Sequence, residues 1–388
     1  MAALLKSLRS ALPPQWRGLF FYAAFFGTLA LFDPYLNIYF TELGLNGKEV
    51  GVISMLAPLA MLLISPFISA SADRMGKRAV TLALVLLITG VGFALLGFAR
   101  TFIMLLPAMA LLAVVRAPAV ALGDGLVARM AVNRQLDFGS MRLGGSIGFF
   151  VLCILGGLGW NAFGYRVMFP VVAIGFTVAA LSGWLLEETP GSGRPFQIPW
   201  ALIKSDGFLT LLLVAGILMG GAFSMVLIYQ GMYITDMGGD QTLVGIVVAA
   251  SALTELPMMR SAGRLIRRWG GIPALLLGYT IMAISIGGFA LASQPWMLLV
   301  FSLLRGPGVA LMMVGTVTIL DRRAGEDHSA TVQSLNSAGA FGLAPLISSP
   351  LGGWLWDAAS PRAVFWVSMG LMVLAGLVLV ICWKTQRE

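Results

Sequence analysis

The chain has 388 residues, 59% of them hydrophobic and only 11% charged, with a mean hydropathy of +0.91. Soluble domains carry about 25% charged residues, so this composition excludes a soluble enzyme or binding module and points to a polytopic membrane protein. The formal charge of +8 lies in short connections between apolar runs; this suits control of membrane orientation and excludes a nucleic-acid-binding face.

Twelve apolar segments follow one another, at 19–40, 49–70, 79–98, 102–125, 143–165, 167–187, 207–235, 242–262, 271–292, 296–320, 330–356 and 362–383. About 20 residues at 1.5 Å each span roughly 30 Å of hydrocarbon, and uninterrupted runs of this kind satisfy their backbone in lipid as helices. The expectation is an all-α membrane protein of twelve transmembrane helices. Lys6, Arg9 and Arg17 precede the first span. That span is too long for a signal peptide and lacks a small-residue cleavage site, so it reads as a retained helix. Cys153 and Cys382 fall inside apolar segments without disulfide or metal spacing and read as packing residues.

The longest polar connection, 188–206, contains E-T-P-G-S-G-R-P and separates six spans from six. It reads as a linker between an N-terminal bundle, 1–187, and a C-terminal bundle, 207–388. With the N-terminus inside, 19 of the 25 Lys and Arg residues fall on inner segments, four on outer loops and two within spans. Both termini are therefore expected in the cytoplasm.

The halves are related. At a shift of 194 residues Tyr35 meets Tyr229, Tyr39 meets Tyr233, Thr41 meets Thr235, Glu42 meets Asp236, Gly44 meets Gly238 and Gly51 meets Gly245. R-A-P-A-V-A-L (116–122) and R-G-P-G-V-A-L (305–311) share five of seven positions, and S-I-G-F-F (146–150) matches S-A-G-A-F (337–341). Two pseudo-symmetric six-helix bundles of this kind are the parallel-repeat design of many secondary transporters.

Arg116 and Arg305 thus sit at comparable depths in the two halves. A charge near the bilayer centre costs roughly 2.5–3.5 kcal/mol on insertion scales and marks a functional site by default. Counted along the helix, Asp33 lies about 20 Å from the inner end of its span and Glu255 about 20 Å from the outer end of its own, so both are well within the membrane and each half carries one acid and one base. Two readings stand. In one, Asp33–Arg116 and Glu255–Arg305 are structural ion pairs. In the other, the two guanidinium groups, each beside a proline (Pro118, Pro307), face one another across a cavity and hold an anion with their forked donors. Proton coupling needs an acid whose affinity for a proton changes with its partner. Glu255, in the apolar A-L-T-E-L-P-M-M, is preferred, with Asp33 second; Asp124 reads as the partner of Arg142 at the inner gate. Tyr35, Tyr39, Tyr229 and Tyr233, with the adjacent Gln230, read either as an interfacial belt or as cavity contacts, and Asn336 as a cavity residue. His328, in E-D-H-S, reads as solvated.

Between the second and third spans stands S-A-S-A-D-R-M-G-K-R, 69–78. It resembles the G-x-x-x-D-R-x-G-R-R signature of the major facilitator superfamily at Asp73, Arg74, Gly76 and Arg78. The matching loop of the second half, G-R-L-I-R-R-W-G (263–270), keeps the glycine but has Arg267 at the acid position. The stretch D-F-G-S-M-R-L-G-G-S-I-G-F from 137, with D-P-Y-L-N-I-Y-F (33–40) and A-P-A-V (117–120), is similar to the lactose permease and phenylpropionate permease group. The resemblance implies alternating access, a cavity lined by helices 1, 4, 7 and 10, and a cytoplasmic brace of Asp73, Arg74 and Arg78 facing Arg267 and Arg268. Arg142 matches that group's sugar-binding arginine. Its acidic partner is replaced by Ala121, the helix-10 His and Glu by Arg305 and Gly308, and the helix-9 arginine has no counterpart.

The expected activity is proton-coupled symport of a small organic anion, aromatic or otherwise a carboxylate, by a bacterial inner-membrane protein. Arg116, Arg305, Arg142, Asp33, Tyr35, Tyr229, Gln230, Tyr233 and Asn336 are its candidate binding residues. The alternatives are uptake of a neutral sugar or nucleoside, and efflux; the proline-free helix 5 (G-G-S-I-G-F-F-V-L-C-I-L-G-G) weighs against efflux. No enzyme chemistry, metal or cofactor is expected, the proton gradient being the energy source. The expected partners are an anionic solute, protons and the lipid bilayer, with no nucleic acid, and the chain is expected to act as a monomer.

Overall fold

The computed structural model describes residues 12–188 and 206–385, which contain helices and no strand. Most of the predicted linker lies outside them. The chain forms two compact units: Met1–Leu43 with Leu59–Arg194, and Gly44–Pro58 with Pro195–Glu388.

The helices, numbered by span, are α1 Pro14–Glu42, α2 Gly47–Leu63 continued at 42° by Ser65–Ala72, α3 Arg78–Leu96, α4 Phe102–Arg134, α5 Phe138–Phe163 and α6 Tyr165–Trp184. They continue as α7 Gly207–Asp236, α8 Gln241–Trp269, α9 Gly271–Leu291 and α10 Met297–Gly325. After a sharp turn at Gly325 (φ 69°), α11 runs through a π-helical turn, Gly339–Leu343, into Ala344–Ala358, and α12 is Pro361–Thr385. Ten of these are long and apolar enough to cross a membrane, and the bent α2 makes an eleventh. The predicted twelfth, 330–356, is α11. It is helical from the turn at Gly325 to Ala358, interrupted only by the π turn.

Local chemistry sets the boundaries. Asp137, Asp206 and Asp240 cap α5, α7 and α8 by accepting first-turn N–H bonds, and Asn46 and Glu49 form a reciprocal capping box on α2. Gly44 and Gly238, paired by the repeat, end their helices at the same φ of +89°. Gly76 and Gly270, also 194 residues apart, both take positive φ. Only glycine visits this region at low cost.

The central contact of each unit is also duplicated. In unit 1, α1 lies directly on α5, where a Cβ at Gly148 would stand 2.8 Å from the Ala23 Cα. In unit 2, α7 lies on α11, where a Cβ at Gly220 would stand 2.6 Å from the Ala340 Cα. The Tyr35 hydroxyl donates to the Cys153 carbonyl at 2.5 Å, and the Tyr229 hydroxyl to the Ser349 carbonyl at 2.7 Å. Both rings are fully buried. Small residues and interhelical hydrogen bonds of this kind hold helices together where the hydrophobic effect is absent. In unit 2 the start of α2 is docked on α11. Gly47 and Lys48 donate their backbone N–H groups to the two Asp357 carboxylate oxygens at 2.8 and 2.9 Å.

Candidate functional site

In unit 1 the site is made by two proline breaks. Asp33 closes the first part of α1, Pro14–Phe32; Pro34 supplies no N–H, and the helix resumes at Leu36. Arg116 closes the first part of α4, and the helix resumes at Ala119 after Pro118. The Arg116 Nη1 lies 3.7 Å from the Asp33 Oδ1. This is an ion pair too long for a direct hydrogen bond. The side chains are 26% and 48% exposed, and the guanidinium also lies 5.3 Å from the centre of the Phe32 ring.

A second charged group lies further along α4. Arg142 on α5 pairs with Asp124 at 3.1 Å, both side chains 40% exposed. The Tyr22 hydroxyl donates to the same Asp124 oxygen at 2.7 Å. The Arg142 guanidinium covers the Phe26 ring at 4.3 Å and the Tyr22 ring at 4.9 Å. Neither Tyr22 nor Phe26 is a candidate from sequence. Their i, i+4 spacing on α1 is the signal that could have paired them with one cation.

Unit 2 treats its arginine differently. Arg305 is 3% exposed and donates to the Gln230 Oε1, itself 2% exposed. Helix α10 reaches α8 at Gly306, where a Cβ would stand 2.6 Å from the Glu255 backbone nitrogen. Thr254 bonds the Leu303 carbonyl at 2.8 Å. Glu255 is thereby held within the field of Arg305. The α10 helix runs on through Pro307, and α7 is continuous past Leu227, the position matching Asp33.

The remaining candidates separate. Tyr35, Tyr229 and Tyr233 are buried within their own units: Tyr35 and Tyr229 are spent on backbone carbonyls, and Tyr233 packs on Phe365 at 4.7 Å. The Asn336 amide oxygen is buried against Gly216 of α7 and meets no hydrogen-bond donor among the described residues. Arg74 is exposed and Arg78 buried near Gly125, while Arg267 and Arg268 are exposed in the last turn of α8. The Asp73 side chain lies outside the described residues. Sequence reading also missed Glu187 and Glu188. Glu187 bonds Arg134 twice, at 3.0 and 3.1 Å, and reaches Arg17 at 3.4 Å, while Glu188 caps α3. No metal-binding group is present among the described residues.

The model of the MFS_1 like family matches residues 15–367. The chain belongs to the major facilitator superfamily. It is therefore a membrane transporter of that superfamily and not an enzyme. A maltose permease of Geobacillus stearothermophilus is 30% identical over 95% of this chain and 94% of its own. A protein of Escherichia coli K12 described as a probable 3-phenylpropionic acid transporter is 25% identical over 94% and 96%. The crystal structure of the nucleoside transporter NupG superposes with a TM-score of 0.82 at 12% identity, over 96% of this chain and all of that one. A bacterial homolog of the lysosomal transporter Spinster gives 0.70 at 14%, over 96% of both chains. At these identities the two structures establish the fold alone. The superfamily signature gains a physical reason here, since its glycine, Gly76, is the residue at φ +63° between α2 and α3.

Proposed function

We propose that this transporter is a proton-coupled symporter of a small organic anion, placed in the bacterial inner membrane with both termini cytoplasmic. The half-exposed, slack Asp33–Arg116 ion pair at the double proline break carries this reading. A guanidinium is permanently charged and offers paired donors to a carboxylate. While Asp33 is ionised it occupies Arg116. When Asp33 takes a proton, Arg116 is released to the substrate carboxylate, so proton and anion bind together. Of the acids in the spans, Asp33 fits this exchange best because its carboxylate is both accessible and beside its arginine. Glu255 then balances Arg305 inside unit 2, and Asp124 does so for Arg142. The relative described as a 3-phenylpropionic acid transporter supports a carboxylate substrate. Arg74, Arg78, Arg267 and Arg268 serve as the gate at the basic helix ends.

A neutral sugar is the second reading, favoured by the maltose permease relative and by the neutralisation of Arg116 within its own unit. Competition for binding to the purified transporter separates the two. Aromatic carboxylates are expected to compete and maltose not to. If maltose competes and carboxylates do not, the sugar reading replaces the anion reading.

A further inference from the structure

The two halves finish the N-terminus of their third helix in different ways. In unit 1, Glu188, just beyond α6, places one carboxylate oxygen 2.7 Å from the Ala79 N and 3.4 Å from the Val80 N, so the chain supplies its own anion to the start of α3. In unit 2 no described side chain caps the start of α9, and the end of α12 offers Trp383 and Lys384 where unit 1 has the glutamates. A cavity of about 390 Å³ opens there, lined by Trp269, Ile272, Arg322, Arg323 and Trp383. Arg323 is committed to Asp206, at 2.6 and 3.2 Å, and stacks 5.1 Å from the Phe208 ring. Arg322 is exposed and makes no ion pair with any described residue. One turn further along α9, at Leu276, a second and apolar cavity of about 640 Å³ begins, running between α9 and α12 past Gly287, Met369 and Val380.

We infer that unit 2 binds an anionic phospholipid here, its phosphate against Arg322 and the first-turn N–H groups of α9 and one acyl chain in the apolar groove. Three observations converge: a helix start whose duplicate carries a carboxylate, an arginine without an ion pair among the described residues in a cavity that two tryptophans also line, and an apolar groove that begins one turn further along the same helix. Helix N-termini attract anions. Basic pockets between spans hold lipid headgroups, and tryptophan favours the membrane interface. The groove selects a lipid over free phosphate.

The test is native mass spectrometry of the purified full-length transporter released from micelles holding phosphatidylglycerol or phosphatidylcholine. Wild type is expected to retain phosphatidylglycerol preferentially, and inorganic phosphate not to displace it. Arg322→Gln should weaken that retention about fivefold, the ratio for one arginine at an anionic surface. Arg260→Gln, an exposed arginine elsewhere on α8, should leave it unchanged. Trp383→Glu, which gives unit 2 a carboxylate of its own, should also abolish the preference, and it carries the test should Arg322→Gln not fold. Equal retention of both lipids, retention unaltered in the two pocket variants, an equal loss in Arg260→Gln, or displacement by inorganic phosphate would each overturn the inference.

Discussion

Arg116 and Arg305 occupy matching places in the repeat, yet their surroundings load them differently. Arg116 holds a slack, part-exposed pair, whereas Arg305 is buried against Gln230 and beside Glu255. Substitution by glutamine should therefore separate function from folding. Arg116→Gln is expected to cost less than about 1 kcal/mol, as exposed pairs do, while abolishing substrate binding. Arg305→Gln leaves a carboxylate without its compensating charge and is expected to cost about 3–5 kcal/mol. Thermal unfolding in detergent, followed by a binding assay on whatever remains folded, measures both. Asp33→Asn should permit substrate exchange across the membrane but not uphill accumulation; accumulation at the wild-type level would remove Asp33 from the coupling. The charges themselves were legible in the sequence because an ionisable residue inside an apolar run is conspicuous. Their partners were less so. Gln230 and Tyr22 are ordinary polar residues whose roles depend on which neighbouring helix they meet, and no spacing along one chain records that.

At the scale of the helices, the duplicated residues turn out to mark packing. The Tyr35 and Tyr229 hydroxyls each tie the first helix of a half to the fifth, and Gly148 and Gly220 let the same pairs of backbones touch. A sequence comparison sees the repeat but not whether a repeated tyrosine points at solvent, lipid or a carbonyl. Gly148→Ala and Gly220→Ala should each destabilise by about 1–3 kcal/mol, the range for overpacking. Similar losses in both halves would be read by thermal unfolding. The capping of α7 adds a pH term. The Arg323 guanidinium, followed by the first-turn N–H groups of α7, holds the Asp206 carboxyl below its ordinary range. Because the folded-state value is depressed, this contribution to stability is present above the unfolded carboxylate value of about 4 and is lost as the pH falls below it. Asp206→Asn should flatten that acid limb in a pH series of unfolding temperatures. The helix count was legible from length and hydropathy, each of the twelve predicted segments falling on one of α1 to α12. The breaks within α1 after Phe32 and within α4 after Arg116 were not, since a proline signals a kink without saying whether the helix stops.

For the molecule as a whole, the distribution of Lys and Arg supports the proposed orientation, which labelling can check. In a cysteine-free background, Ser293→Cys, between α9 and α10, should react with an impermeant maleimide in intact cells. Asn133→Cys, near the end of α4, should react only after lysis. The reverse pattern would invert the proposed topology. The division into units departs from a simple cut at mid-sequence at one place, residues Gly44–Pro58, which pack with the second half. The docking of α2 on Asp357 uses the backbone of Gly47 and Lys48, not their side chains. Peptide N–H groups are common to every residue but proline. Evolution can therefore vary position 48 widely while Asp357 is held fixed, and a statistical search for correlated substitutions would find Asp357 constrained yet without a correlated mate.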